Sequence, residues 1–183
     1  MLPRSLPLIF LIATSQTIFA QHYKPLDQGS KVHFTIKNFG IGTGGDLSGL
    51  NGIIDFVPSN LKACLFNVSV DVKTIDTDNG TRDKHLRSAD YFDADKFPKI
   101  ILKSTSVNLT TPKTANMYYF TGTLTIHGVT KVIEFPFTAS TQGKDLLFKG
   151  DFDINRTDFG VGGNGGVLGK TVKVSLVVFA KTR

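Results

Sequence analysis

The side chains able to do chemistry are few and dispersed. The chain has four histidines, His22, His33, His85 and His127, and one thiol, Cys64. No two histidines stand at a short metal-ligand spacing, so no zinc site is expected. Cys64 shares the parity of Phe66, Val68 and Val70 and reads as a small buried apolar residue; alone, it forms no intrachain disulfide. His33 and His127 fall on the outward parity of strand-like runs. There is no Gly-x-Ser-x-Gly elbow and no phosphate-cradling glycine motif followed by Lys. Gly162-Gly163-Asn164-Gly165-Gly166 lacks the strand-then-helix context of a nucleotide site.

The densest polar stretch is residues 79–98, NGTRDKHLRSADYFDADKFP. Arg82, Asp83, His85, Arg87 and Asp90 could form a general acid/base set. The favoured reading is an ion-pair and hydrogen-bond network that holds a lid closed, since Asp83 and Arg87 are four apart on one helical face. A third reading places Arg82, Asp83, His85 and Arg87 at a mouth, against a ligand headgroup. Asn155-Arg156-Thr157-Asp158 is a second polar cluster, and Arg156 could face the lid's aspartates or the polar end of a ligand. No catalytic residue, metal or cofactor is expected.

Around these clusters the chain alternates with a period of two. Val32, Phe34 and Ile36 interleave with Lys31, His33, Thr35 and Lys37, a half-buried strand. Residues 22–30 read as an irregular lead-in. Six glycines crowd residues 38–52, at a corner of a closed sheet or in a surface loop. Further strands are expected at 53–57, 64–73, 100–109, 117–127, 131–139, 146–154 and 171–180. Pro136 suggests an edge, a bulge or a strand end. The stretch 79–98 reads as a short helix or turns, anchored by Leu86, Tyr91, Phe92 and Phe97. The expected fold is all-β, an eight-stranded antiparallel barrel with one helical or turn insertion; a two-sheet sandwich fits the alternation too.

The inward residues of such a barrel are Phe34, Ile36, Phe66, Val68, Val70, Ile101, Tyr118, Phe120, Leu124, Phe135, Phe137, Phe148, Phe152, Val174 and Leu176, and none is charged. They either fill a solid core or line a hollow. A hollow of this kind selects an aliphatic or polyene chain over a sugar or phosphate. Burying roughly 0.8 kcal/mol per CH₂ makes micromolar binding, about 8 kcal/mol net, accessible to a chain of ~20 carbons.

Residues 1–20 read as a secretory signal peptide, with the apolar run LPLIFLIA and a cut near Ala20. Residues 21–183 then form one domain. The formal charge is +6, but Lys31, Lys37, Lys73, Lys103, Lys149 and Lys173 are spread singly along strands. That argues against a nucleic-acid partner, which needs a clustered patch, and allows weak contact with an anionic membrane surface.

Residues 74–104, with Ile75-Asp76-Thr77-Asp78-Asn79, Arg82-Asp83-Lys84-His85-Leu86-Arg87-Ser88-Ala89-Asp90-Tyr91-Phe92-Asp93 and Lys96-Phe97-Pro98-Lys99-Ile100, resemble the central signature of the YceI-like family. Residues 32–40, 122–131 and 154–162 resemble three further stretches of that family, in the same order. The resemblance implies a lipocalin-like barrel exported to the bacterial periplasm, binding a polyisoprenoid or similar long-chain amphiphile, sometimes as a homodimer. It carries no catalytic residues. Two departures stand out. Asp46-Leu47 replaces an aromatic, so that Asp46 would narrow or repolarise one wall, and Phe179 stands where an acidic residue is usual.

The leading expectation is therefore a protein that binds, transports or stores an isoprenoid, isoprenoid quinone or fatty-acyl chain. The alternatives are a filled barrel acting as a protein-interaction or stress-related factor and, last, a lipid-modifying enzyme using His85.

Overall fold

The computed structural model describes residues 21–110, 114, 116–163 and 166–183. The expected signal peptide, the turn at 111–113 and the pair Asn164-Gly165 lie outside them. Eight strands follow one another: β1 (His22–Asn38), β2 (Ile41–Asp55), β3 (Leu65–Asp76), β4 (Lys99–Leu109), β5 (Met117–Ile126), β6 (Val129–Gln142), β7 (Asp145–Asn155) and β8 (Leu168–Thr182). Each pairs antiparallel with the next, and β8 returns to β1, closing a barrel. Closure rules out the sandwich. Among the described residues there are also one helix, α1 (Gly80–Leu86), and two 3₁₀ turns, Leu61–Ala63 and Arg156–Phe159.

β5 shows why these sequences make this sheet. Tyr118, Phe120, Leu124 and Ile126 are buried, while Tyr119, Thr121, Thr123 and Thr125 between them are partly exposed, as a pleat with one dry face requires. Apolar residues point in and polar ones out, the reverse of a barrel whose outer face meets lipid. Among the described residues no helix is long and apolar enough to cross a membrane.

The two ends of the barrel differ. The end bearing the β2–β3 connection is plugged. Phe56 sits edge-on to Phe66 (6.2 Å), Tyr118 (5.0 Å), Phe137 (6.2 Å) and Phe148 (5.3 Å), and Tyr23, Ile54, Leu146 and Ala180 belong to the same buried cluster. At the opposite end α1 and the turns after it lie over the opening. There Tyr91 and Phe92 pack with Phe159, Val161, Leu124 and Ile126 in a second cluster.

Three readings of the strands need correction. Residues 22–30 are not a lead-in: they open β1, with Tyr23 and Pro25 buried, and a register shift follows on both neighbouring ladders before Lys31 and Val32. Ile101 does not face inward. The β4–β5 ladder shifts at Thr105, with Ser104 opposite Gly122 and Ser106 opposite Thr121, so this bulge flips parity along β4. Leu102 before it and Val107 after it both point in, and Ile101 points out. Third, of the two readings of the glycine-rich stretch, the surface loop fails and the closed sheet holds: Gly42, Gly44, Gly45, Gly49 and Gly52 belong to strand β2. A Cβ on Gly45 would sit 2.7 Å from the Phe34 ring and 2.6 Å from Thr77 Cγ2, so only glycine lets β1 and β3 approach there. Pro136 ends no strand, but the β6–β7 ladder runs only to Phe137, opposite Gly150. With no N–H to give, Pro136 stands where the two strands part.

Cys64 packs half-buried against the plug. Its Sγ accepts from the Val57 N–H at 3.3 Å. Burial pushes the thiol pKa up, the Val57 N–H opposes this, and the Asp55 charge adds to the rise. The thiol is thus more protonated at pH 8 than a free cysteine. We expect labelling by a maleimide to be slower than for free cysteine at that pH, and to keep accelerating above the ordinary thiol range. A rate equal to that of free cysteine would show the site to be open.

Candidate functional site

Between plug and lid the barrel is hollow. A cavity of about 240 Å³ runs from Phe66, Phe137 and Phe148 at its floor to Leu86, Tyr91, Phe92 and Leu168 near its mouth. Its surface is almost wholly apolar. β1 contributes Val32, Phe34 and Ile36; β3 contributes Val68 and Val70; β8 contributes Val172, Val174 and Leu176. Phe135 lies between two rings, stacked on Phe120 at 4.8 Å and on Phe152 at 4.5 Å. Such offset pairs add about 0.5–1.5 kcal/mol each to the burial of their rings, which holds that wall rigid around an unfilled space.

Of the inward residues expected from alternation, Phe34, Ile36, Phe66, Val68, Val70, Phe120, Leu124, Phe135, Phe137, Phe148, Phe152, Val174 and Leu176 border this cavity. Tyr118 does not. It lies beneath the floor, 5.0 Å from Phe56 and stacked on Phe137 at 5.5 Å. Ile101 is outside, and its neighbours Ile100 and Leu102 take its place on the wall. Alternation also missed Leu47, Leu50 and Ile54 of β2. The spacing of three from Leu47 to Leu50 breaks the period of two, because the β2–β3 ladder shifts on either side of Ser48, next to Gly49 (φ 74°). The signal present in the sequence was that glycine.

No carboxylate borders the cavity among the described residues. The basic residues that do are His33, Arg82, Lys149 and Arg156. Asp46, expected to repolarise a wall, instead points away: its carboxylate meets His33 Nδ1 at 2.6 Å and Lys31 Nζ at 3.6 Å, half exposed. The adjacent Leu47 supplies the wall, because consecutive strand residues face opposite ways.

The lid is not held by the expected Asp83–Arg87 pair. Asp83 is buried, and its Oδ1 accepts from Thr77 N at 2.9 Å and from Thr77 Oγ1 at 2.5 Å. Arg82 donates from Nε to Thr77 Oγ1 (2.8 Å) and from Nη2 to the Thr77 carbonyl (2.5 Å). Both neighbours on α1 thus converge on one threonine just beyond β3. Asn79 caps the helix by accepting from Arg82 N at 3.0 Å, a typical N-cap bond. Arg87 reaches back to the Lys73 and Ile75 carbonyls at 3.4 and 3.3 Å. The one ion pair from this connection to the barrel wall among the described residues is Lys73–Asp95, 2.6 Å and exposed. It raises the Lys73 pKa and lowers that of Asp95. His85 lies exposed on the outer side, edge-on to Tyr91 at 4.7 Å, and does not border the cavity. The general acid/base set therefore does not assemble: its members point to different places.

Arg156 is almost fully buried, at 4 % exposure. Nη1 donates to the Val161 and Gly163 carbonyls (2.6 and 2.7 Å), Nε to Gly169 (2.8 Å) and Nη2 to Leu168 (3.1 Å). It ties the glycine-rich connection between β7 and β8 into one piece. Neither the lid's aspartates nor any other carboxylate pairs with it among the described residues.

The YceI-like domain model matches residues 23–180, and the chain belongs to that family. It is 34 % identical over 145 residues to a UPF0312 protein of Pseudomonas savastanoi pv. phaseolicola, covering 75 % of this chain and 74 % of the relative. Among solved structures it is similar to BcnA of Burkholderia cenocepacia, with a TM-score of 0.75 and 25 % identity, over 83 % of this chain and 96 % of that one. It shares its fold with a polyisoprenoid binding domain from Saccharophagus degradans described as implicated in plant cell wall breakdown. There the TM-score is 0.71 and the identity 13 %, over 90 % of this chain and all of that one.

Proposed function

We propose that this YceI-like barrel takes up a long apolar chain, of polyisoprenoid, isoprenoid quinone or fatty-acyl type, and carries or stores it in an exported, periplasmic setting. The observation that supports this reading most is the cavity itself: hollow, aromatic, and bordered by Arg82 and Arg156 but, among the described residues, by no carboxylate. A charged or sugar-like molecule would lose its hydration on such walls without gaining partners. A hydrocarbon chain loses nothing there and removes its surface from water. The Saccharophagus domain of the same fold is described as polyisoprenoid binding, which fits this cavity chemistry.

The polar end of the ligand stays at the mouth, where Arg82 borders the cavity. A carbonyl, carboxylate or phosphate oxygen is the matching acceptor. Asp83, His85 and Arg87 act on the lid rather than on the headgroup. The protein binds rather than converts its ligand: among the described residues no carboxylate borders the cavity to pair with its basic groups, and Arg82 and Arg156 are engaged by Thr77 and by backbone carbonyls.

Organic extraction of the protein purified from its own compartment, followed by mass analysis, should recover a long-chain lipid. For a direct test, Val174→Glu places a carboxylate beside Phe34 and Phe152, its cross-strand partners. Binding of a fluorescent polyene fatty acid or a labelled prenyl alcohol should weaken at least ~10-fold, because an unpaired charge costs several kcal/mol in such surroundings. Val174→Phe, which is apolar but larger, should shorten the preferred chain instead. Wild-type protein that arrives empty and binds neither probe would overturn the reading.

A further inference from the structure

The apolar surface does not stop at the mouth. Phe39 is 74 % exposed, Ile41 72 % and Val167 50 %. Phe39 and Ile41 occupy the β1–β2 hairpin tip, and the Phe39 N–H donates to the Val167 carbonyl at 3.1 Å, joining that tip to the loop before β8. The neighbours of this pair in sequence, Asn38 and Leu168, border the cavity, so the patch is continuous with the entrance.

The tip is doubly unfavourable for an isolated molecule. Phe39 (φ 50°) and Gly40 (φ 80°) both adopt the left-handed conformation of the tight hairpin turn in which asparagine or aspartate normally precedes glycine. A bulky aromatic there carries backbone strain and exposes its ring to water. Backbone outliers held in this way point to function.

Charge identifies the occupant. Residues 28–45 contain no Asp or Glu, and neither do residues 159–183. The patch is flanked by exposed Lys37 and Lys170. The β3–β4 connection carries most of the carboxylates of this end of the barrel, and exposed Asp158 lies on the 3₁₀ turn that follows β7. An apolar tip with lysines at its base matches an anionic bilayer surface, where rings enter the acyl boundary and ammonium groups meet phosphates. We propose that Phe39, Ile41 and Val167 dock the cavity mouth on an anionic membrane, so that an apolar chain would pass between bilayer and barrel without crossing water.

Docking itself is independent of what the cavity holds, and flotation with vesicles reads it directly. The full mature chain should float with vesicles of phosphatidylglycerol and phosphatidylethanolamine, less with pure phosphatidylcholine, and less at high salt, which screens the lysines. The triple variant Phe39→Ser, Ile41→Ser, Val167→Ser should bind at least ~10-fold more weakly, while Lys37→Glu with Lys170→Glu should lose the preference for anionic vesicles. Both variants should keep the wild-type circular dichroism and soluble-probe binding. Failure of the cavity reading would instead appear as lost probe binding in the wild type. Wild type that does not float, or variants that float as wild type does, would overturn the proposal; capture of a protein partner by the wild type, with no vesicle binding, would assign the patch to that partner.

Discussion

Replacing Arg156 with alanine is expected to destabilise the barrel by roughly 3–5 kcal/mol, from about 1–3 kcal/mol per acceptor left unpaired. The carbonyls of Val161, Gly163, Leu168 and Gly169 all lose their donor at once. Gly163 is exposed and can turn to water, so the loss falls short of four full penalties. At about 2–4 °C per kcal/mol for a domain of this size, the melting temperature should fall by about 6–20 °C. Arg156→Lys should recover only part of this, because one ammonium cannot reproduce a planar fork that serves four carbonyls. Probe affinity measured well below the melting temperature should change little. A normal melting temperature with lost probe affinity would return Arg156 to the ligand and overturn its assignment as the tie of the β7–β8 connection.

The second large effect is at Phe56. Its ring is 3 % exposed and meets four other aromatic rings edge-on. Phe56→Ala should cost about 3–5 kcal/mol through lost transfer and the cavity left behind. That is a large part of the roughly 5–15 kcal/mol by which domains are stable. The urea midpoint should fall with an unchanged slope. Because Phe56 underlies the floor rather than lining the wall, the folded fraction should still bind the polyene probe. It should accept longer chains than the wild type, since the hollow then extends into the plug. Phe56→Ala and Val174→Glu thus separate stability from binding in opposite directions. Loss of both properties in each variant would mean that plug and cavity are one packed unit.

Much of the wall was legible because a strand residue's direction depends only on its parity while the ladder stays regular. Phe34 and Ile36 on β1, Val68 and Val70 on β3 and Phe120 and Leu124 on β5 were placed in this way. Parity failed wherever a ladder slipped. Thr105 reversed the sense of β4 and turned Ile101 outward. The shifts around Ser48 and Gly49 set Leu47 out of phase with Leu50 and Ile54. Phe56 escaped notice because it lies just past the end of β2, where period two carries no information about depth. The charged stretch was located correctly as a cover over one end, but its bonds were not. Helical spacing paired Asp83 with Arg87, whereas the nearest donors to Asp83 belong to Thr77, at the end of a strand the helix rests upon.

Sequence alone determined the alternation, and with it an all-β chain of eight strands with a charge-free inner face, because side-chain direction in a strand is a local property of the backbone. Whether that face encloses space or fills it was decided only by the tertiary structure. The outcome rests on how far apart opposite walls stand and on which rings, Phe56 and Tyr118 among them, meet at one end. Those are distances between residues remote in the chain, set by closure of β8 onto β1 and by bulges that local pattern does not reveal.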